Sequence, residues 1–202
     1  KVAIVVGTRP EGIKLAPIIL HAQQYFSEAI EPVIINTGQH PELLTEVFNF
    51  FKISPDYSLN ISRHSDFLSE LQMQLMTQLE RLFQEIEPDI VMVQGDTIST
   101  LSGALAAYYQ RIPVAYVESG LRTGNIYSPF PEEANRLLVT QLATWHFTPT
   151  QQATESLAKE GIVKGVHQTG NTIVDAVEFA KSIGFSNDVS NHQFFNNRTT
   201  DN

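Results

Sequence analysis

Acids and cations recur in this chain where short apolar runs give way to turns. The segments are Gly7-Thr8-Arg9-Pro10-Glu11 with Lys14 beyond it, Asn36-Thr37-Gly38-Gln39-His40, Val93-Gln94-Gly95-Asp96-Thr97 and Val117-Glu118-Ser119-Gly120-Leu121-Arg122-Thr123. The last is followed closely by Ser128-Pro129-Phe130-Pro131-Glu132-Glu133-Ala134-Asn135-Arg136. If these turns share one cleft, Asp96, Glu118 and Glu132 meet there. Clustered carboxylates disfavour simultaneous ionisation, so one can hold a proton and act as acid while another acts as base. Arg9 offers a planar pair of donors, and Lys14, about one helical turn on, offers a point charge to the same ligand. A proline near a helix start tolerates its missing N–H, and free amides there bind anions, so a phosphate site is expected at Gly7–Lys14. Arg122 and Arg136 add two more cations, so four of the thirteen basic residues fall in these segments.

Each assignment has a plainer alternative. Arg9 and Lys14 can be solvated surface cations. Asp96 can be a metal ligand or simply the N-cap of the helix that follows it. Glu132 and Glu133 would each gain ~0.3–1 kcal/mol merely from sitting near a helix N-terminus; that suffices for Glu133, whereas Glu132 is kept as a site residue. His40, just before Pro41, reads as a capping or surface group when taken alone. His146, between Trp145 and Phe147 on an apolar run, reads as a structural histidine.

The elements that must position these residues alternate. Apolar runs at Val2–Gly7, Pro32–Gly38, Asp89–Gly95, Pro113–Glu118, Trp145–Pro149 and Val166–Gly170 have the length of buried strands and end in turn residues. Between them lie helical patterns, the clearest being Leu68, Leu71, Leu75, Leu79, Leu82 and Ile86 along one face. That helix is expected to stop before Pro88, because proline disfavours helical geometry in the preceding residue. Other helices are expected near 11–26, 41–51, 98–110, 131–143, 151–160 and 172–183. Such βα alternation predicts an α/β fold, a Rossmann-like parallel sheet with helices on both faces and right-handed crossovers. In these folds ligands gather outside the carboxyl ends of the strands. Residues 1–184 are expected to form one domain, and the polar, Asn-rich stretch 185–202 a tail or a remnant of an interdomain linker.

Composition sets limits on partners. The chain has 202 residues, of which 42% are hydrophobic and 17% charged, as in ordinary globular proteins. A formal charge of -9 argues against nucleic acid and acidic membrane surfaces as partners. With no cysteine, disulfides, thiolate metal sites and cysteine nucleophiles are excluded, which fits a cytoplasmic setting. The apolar run at the start falls far short of the ~18 residues that span a bilayer and carries no signal-peptide cleavage pattern.

Taken together, GTRPEGIK at Gly7–Lys14, TGQH at Thr37–His40, QGDT at Gln94–Thr97, VESGLRT at Val117–Thr123, YSPFPEEANR at Tyr127–Arg136, HFTPT at His146–Thr150 and TGNTIVDA at Thr169–Ala176 resemble the non-hydrolysing UDP-N-acetylglucosamine 2-epimerases. The resemblance implies the N-terminal half of a GT-B-like fold of two Rossmann-like domains with the active site between them. It implies interconversion of UDP-GlcNAc and UDP-ManNAc by elimination and re-addition of UDP, with no dissociable cofactor and no metal, in cytoplasmic homodimers that supply surface-polysaccharide precursors. Carried onto matching positions, it assigns Asp96, Glu118 and Glu132 to catalysis, Arg9, Lys14, Gln39 and His40 to substrate, and Arg122 either to substrate or to orienting the carboxylates. Gln94 stands where the family often has His, Ser119 where Ala is usual, Pro41 where Arg is common, and Ser65 where an Arg often helps hold a second, regulatory UDP-GlcNAc. The family's second domain would supply most uridine and diphosphate contacts and a further histidine, so little or no turnover is expected of this chain alone. The competing expectation is an inactive nucleotide-sugar-binding or interaction module.

Overall fold

The structure is a computed structural model that describes residues 1–39, 41–62 and 64–182. His40 and the tail expected at 185–202 lie outside the described residues. The expected strands appear as β1 (Val2–Val6), β2 (Pro32–Asn36), β4 (Ile90–Gln94), β5 (Val114–Val117), β6 (Trp145–Thr148) and β7 (Val166–Gln168), with an additional β3 (Tyr57–Ser58). The helices are α1 (Arg9–Tyr25), α2 (Pro41–Phe51), α3 (Leu68–Ile86), α4 (Ile98–Tyr109), α5 (Glu132–Leu142), α6 (Gln151–Lys159) and α7 (Ile173–Ser182). β3 is the element the sequence reading missed, because two residues carry no periodicity.

All neighbouring strands pair in parallel, in the order β3-β2-β1-β4-β5-β6-β7. Central strands of such a sheet are buried on both faces, which explains why β1 reads as an unbroken apolar run, Val-Ala-Ile-Val-Val. Its side chains alternate between two cores. Ala3 and Val5 pack with Leu71, Leu75, Leu79 and Phe83 of α3 and with small residues of α4, while Ile4 and Val6 pack with Leu15 and Ile19 of α1 and Phe48 and Phe51 of α2. α3 ends at Ile86, its cap Glu87 turning left-handed at φ 47° just before Pro88.

α4 approaches the sheet closely because its inward face is made of small residues. A Cβ on Gly103 would lie 3.1 Å from a Val93 methyl and 3.3 Å from both methyls of Val5. This brings the start of α4 into the gap between β1 and β4, where the strand order reverses. The two flanking connections leave in opposite directions there and open a crevice at the carboxyl ends of the strands.

Candidate active site

β1 ends at Gly7 because nothing larger fits. A Cβ there would lie 2.2 Å from Ser99 Oγ and 2.7 Å from Thr37 Oγ1. The amide groups of Gly7 and Thr8 donate to Glu11 Oε2 at 2.6 and 3.0 Å. This corrects the expectation of free amides for a phosphate at this turn, since an internal carboxylate already holds them. Glu11 Oε1 accepts from Thr97 Oγ1 at 2.5 Å and contacts Thr100 Oγ1 at 3.2 Å, so one buried acid ties the β1 turn to the start of α4. Burial pushes its pKa up, against the opposing effect of hydrogen bonds from Thr97, Gly7, Thr8 and Thr100.

Glu118 follows β5 in a left-handed backbone conformation, φ 64°. Three elements grip its carboxylate. Lys14 Nζ of α1 and Gln94 Nε2 of β4 each donate to Oε2 at 2.5 Å, and Asn171 Nδ2, from the turn after β7, donates to Oε1 at 3.0 Å. The pairing of Gln94 with Val117 across β4 and β5 sets Asp96 and Glu118 on the same rim of the sheet.

Asp96 is not the N-cap of α4; Thr97 is, its side chain accepting from Thr100 N. The Asp96 carboxylate is free of capping duty and takes two donors from one guanidinium, Arg136 Nε at 2.9 Å and Nη2 at 2.6 Å, both on Oδ2. Asn135 Nδ2 donates to the Asp96 carbonyl at 2.7 Å, so α5 is fastened to this loop by successive residues. Glu132 lies one helical turn before Asn135 and Arg136. Its Oε2 is buried and has no hydrogen-bond partner. Glu133, expected merely to favour the helix terminus, is only 1% exposed; it receives the amides of Thr123 and Gly124 at 3.0 and 3.2 Å and Arg136 Nη1 at 3.2 Å. Burial disfavours its charge, but those amides and Arg136 outweigh that and lower its pKa. Beneath the rim, the Tyr116 hydroxyl donates to the Gly95 carbonyl at 2.8 Å, and burial raises its pKa.

The remaining sequence-derived candidates divide. Arg9 is exposed and has no ion pair among the described residues. Gln39 Oε1 accepts from Ser99 Oγ at 2.6 Å, which places this side chain at the mouth of the crevice. Arg122 does not face an open ligand position: Glu160 takes its Nε and Nη2 at 2.7 and 2.9 Å, while Thr140 Oγ1 and the Leu121 carbonyl take further N–H groups. Its guanidinium fastens α6 and α5 to the β5 turn. His146 is the structural histidine that its apolar neighbours imply, 2% exposed and bonded through Nδ1 to Ser119 Oγ at 3.1 Å. The sequence reading missed three residues, Glu11, Gln94 and Asn171, as members of the network. Gln94 and Asn171 stand at strand ends but bond to Glu118, 24 and 53 residues away, while Glu11 bonds both to its own turn and to Thr97, 86 residues away. Among the described residues, no group of three or more His, Asp or Glu side chains could hold a metal ion, and no helix is long and apolar enough to cross a membrane.

The rim thus joins cations and uncommitted acid at a strand-order reversal. Residues 3–200 match the family described as UDP-N-acetylglucosamine 2-epimerase. A curated relative, the UDP-N-acetylglucosamine 2-epimerase of Bacillus subtilis, is 45% identical over 190 residues, covering 94% of this chain and 50% of the relative. The solved structure of the UDP-GlcNAc 2-epimerase of Neisseria meningitidis bound to UDP-GlcNAc superposes with a TM-score of 0.85 at 43% identity, over 90% of this chain and 50% of that one. The enzyme of Methanocaldococcus jannaschii in complex with UDP-GlcNAc and UDP gives a TM-score of 0.85 at 37% identity, over 93% of this chain and 51% of that one. The chain spans about half the length of the curated relatives it matches.

Proposed function

This chain belongs to the UDP-N-acetylglucosamine 2-epimerase family, and on that premise we propose that it forms the strand-rim half of the active site of a non-hydrolysing epimerase interconverting UDP-GlcNAc and UDP-ManNAc. What supports the reading is that Asp96 and Glu118 share the rim at the β4 and β5 ends, with Lys14 bonded to Glu118, and that α5, which carries Glu132, is fastened to Asp96 through Arg136; of these three acids, among the described residues, Glu132 keeps a buried carboxylate oxygen without a hydrogen-bond partner.

The proposed chemistry needs a base and an anion stabiliser acting together. Carbon 2 of the sugar has no adjacent carbonyl to acidify its proton. As a carboxylate takes that proton, the C2–H electron pair forms the C1–C2 double bond. The C1–O bond breaks toward the β-phosphate, leaving UDP and a glycal. For return, a UDP oxygen attacks carbon 1 while a proton is delivered to the opposite face of carbon 2. Two faces call for two acids on different elements, which supports roles for Glu132 at the start of α5 and Glu118 on the β5 turn. Asp96, committed to Arg136, contributes sugar contact and field. Arg9, which has no ion pair among the described residues, and Lys14 supply positive charge to the departing diphosphate, with Gln39 at the mouth; His40 belongs to the same reading as a substrate residue. Cytoplasmic location, a homodimeric assembly and supply of surface-polysaccharide precursors belong to the same reading.

The test incubates the full-length gene product with UDP-GlcNAc in deuterated water and follows carbon 2 by NMR. UDP-ManNAc carrying deuterium at carbon 2 is the expected product. Free ManNAc with UDP as the main products would move the protein to a hydrolysing reaction, and unchanged substrate would leave the binding-module reading standing.

A further inference from the structure

We infer that Asn171 is a positioning residue for Glu118, reading the seat of α7 with one end of its side chain and fixing the acid with the other. The inference rests on the reading of Glu118 as a member of the epimerase site. Asn171 Oδ1 accepts from the Ile173 amide at 3.1 Å, at the start of α7, and Nδ2 donates to Glu118 Oε1 at 3.0 Å. A primary amide offers an acceptor and donors on one rigid plane, so the two bonds set each other's direction. α7 is in turn seated on the body through buried Ala176 and through Phe179, whose ring lies 5.3 Å from that of Phe51 on α2.

Glu118 requires such holding. Its backbone sits at φ 64°, a conformation that non-glycine residues hold only when surrounding contacts over-determine it. Lys14 and Gln94 both act on Oε2, so Asn171 is the residue that fixes Oε1 and with it the rotation of the carboxylate plane. The carboxylate's orientation toward a sugar therefore follows the position of α7, the last described element of the chain.

The two duties of Asn171 can be separated by substitution. N171D and N171S both keep an oxygen able to cap α7, but neither offers Nδ2 to Glu118. In N171D the lost donor is replaced by a like charge. The carboxyl carbons of the full-length gene product, 13C-labelled at glutamate, are observed by NMR at one pH alongside epimerase kinetics and thermal melting. Expected in N171D are a cooperative melt at a somewhat lower temperature, because two carboxylates now face each other, a changed chemical shift of the Glu118 carboxyl carbon, and a kcat lower by roughly tenfold to a hundredfold with little change in KM. N171S gives a smaller change in the same direction. A folded N171D with a parental Glu118 carboxyl resonance and parental kcat overturns the inference. If the parent itself fails to convert UDP-GlcNAc, the epimerase reading fails, and the Glu118 carboxyl resonance still decides whether Asn171 governs that carboxylate.

Discussion

Lys14 Nζ stands 2.5 Å from Glu118 Oε2, joining the first helix to the turn after β5 across 104 residues of sequence. Both partners are largely shielded, with side chains 23% and 11% exposed, so the pair is neither a surface contact nor a fully desolvated one. Replacing Lys14 by Met leaves Glu118 held by the neutral amides of Gln94 and Asn171 alone. A fully buried pair broken this way costs ~3–5 kcal/mol and an exposed one under about 1; K14M is expected to lose about 1–3 kcal/mol in urea unfolding. Its epimerase activity is expected to fall further than that loss explains if, as proposed, the same cation serves the departing diphosphate.

Glu132 predicts the opposite sign for stability. A buried oxygen without a partner contributes nothing to the fold and carries a desolvation cost. E132Q is therefore expected to match or exceed the parent's unfolding free energy while turnover falls by roughly a hundredfold or more, the usual scale for losing a general acid or base. Equal turnover at equal stability would remove Glu132 from the proton pathway.

Glu11 gives a pH dependence whose direction follows from burial. Its folded pKa is raised above the ordinary 4.5 because burial disfavours the charge. An acid of this kind binds its proton more tightly when folded, so its contribution to stability is fullest below the unfolded pKa and is lost as pH rises toward the folded one. Gln at this position keeps an acceptor for the Gly7 and Thr8 amides and a donor toward the Thr97 and Thr100 hydroxyls. E11Q is expected to be at least as stable as the parent at neutral pH and to lack the decline above about pH 4.5. E11A, which orphans two amides and opens a void, is expected to lose about 3 kcal/mol or more. Urea unfolding from pH 4 to 8 separates the three proteins.

Much of this site was legible in the sequence because a parallel α/β sheet converts chain order into position. Once Val2–Gly7, Asp89–Gly95 and Pro113–Glu118 read as buried strands, Lys14, Asp96 and Glu118 had to emerge at one rim. What stayed hidden were the pairings. Nothing local to Arg122 distinguishes a ligand-facing cation from one spent on Glu160, 38 residues away. Likewise, the Gly7-Thr8 turn looks like an anion cradle until Glu11, in the same turn, fills it. β3 escaped because its two residues are defined by a neighbour, β2, and not by any pattern of their own.

By sequence Arg9 was a substrate candidate and Arg122 either a substrate contact or an orienter of the carboxylates, and the structure makes them predict different losses. Arg9 is exposed and has no ion pair among the described residues, so R9A should leave the unfolding free energy within about 0.5 kcal/mol of the parent. Its effect should appear on the ligand: weaker UDP-GlcNAc binding by titration calorimetry, with a shallower dependence of affinity on salt, since one cation facing the diphosphate is gone. Arg122 has its N–H groups committed to Glu160, Thr140 and Leu121, and its side chain is 11% exposed. R122L removes a bidentate pair, leaves Glu160 without its cation and loosens α6 from the β5 turn, for an expected loss of about 1–3 kcal/mol. Lysine does not rescue it, because a single ammonium cannot reproduce the two-pronged contact. Affinity for UDP-GlcNAc in folded R122L should stay close to the parent's, with the parental salt dependence. If instead R122L bound the nucleotide sugar as poorly as R9A while retaining full stability, the guanidinium of Arg122 would have to leave Glu160 for the ligand, and the division between the two arginines would fall.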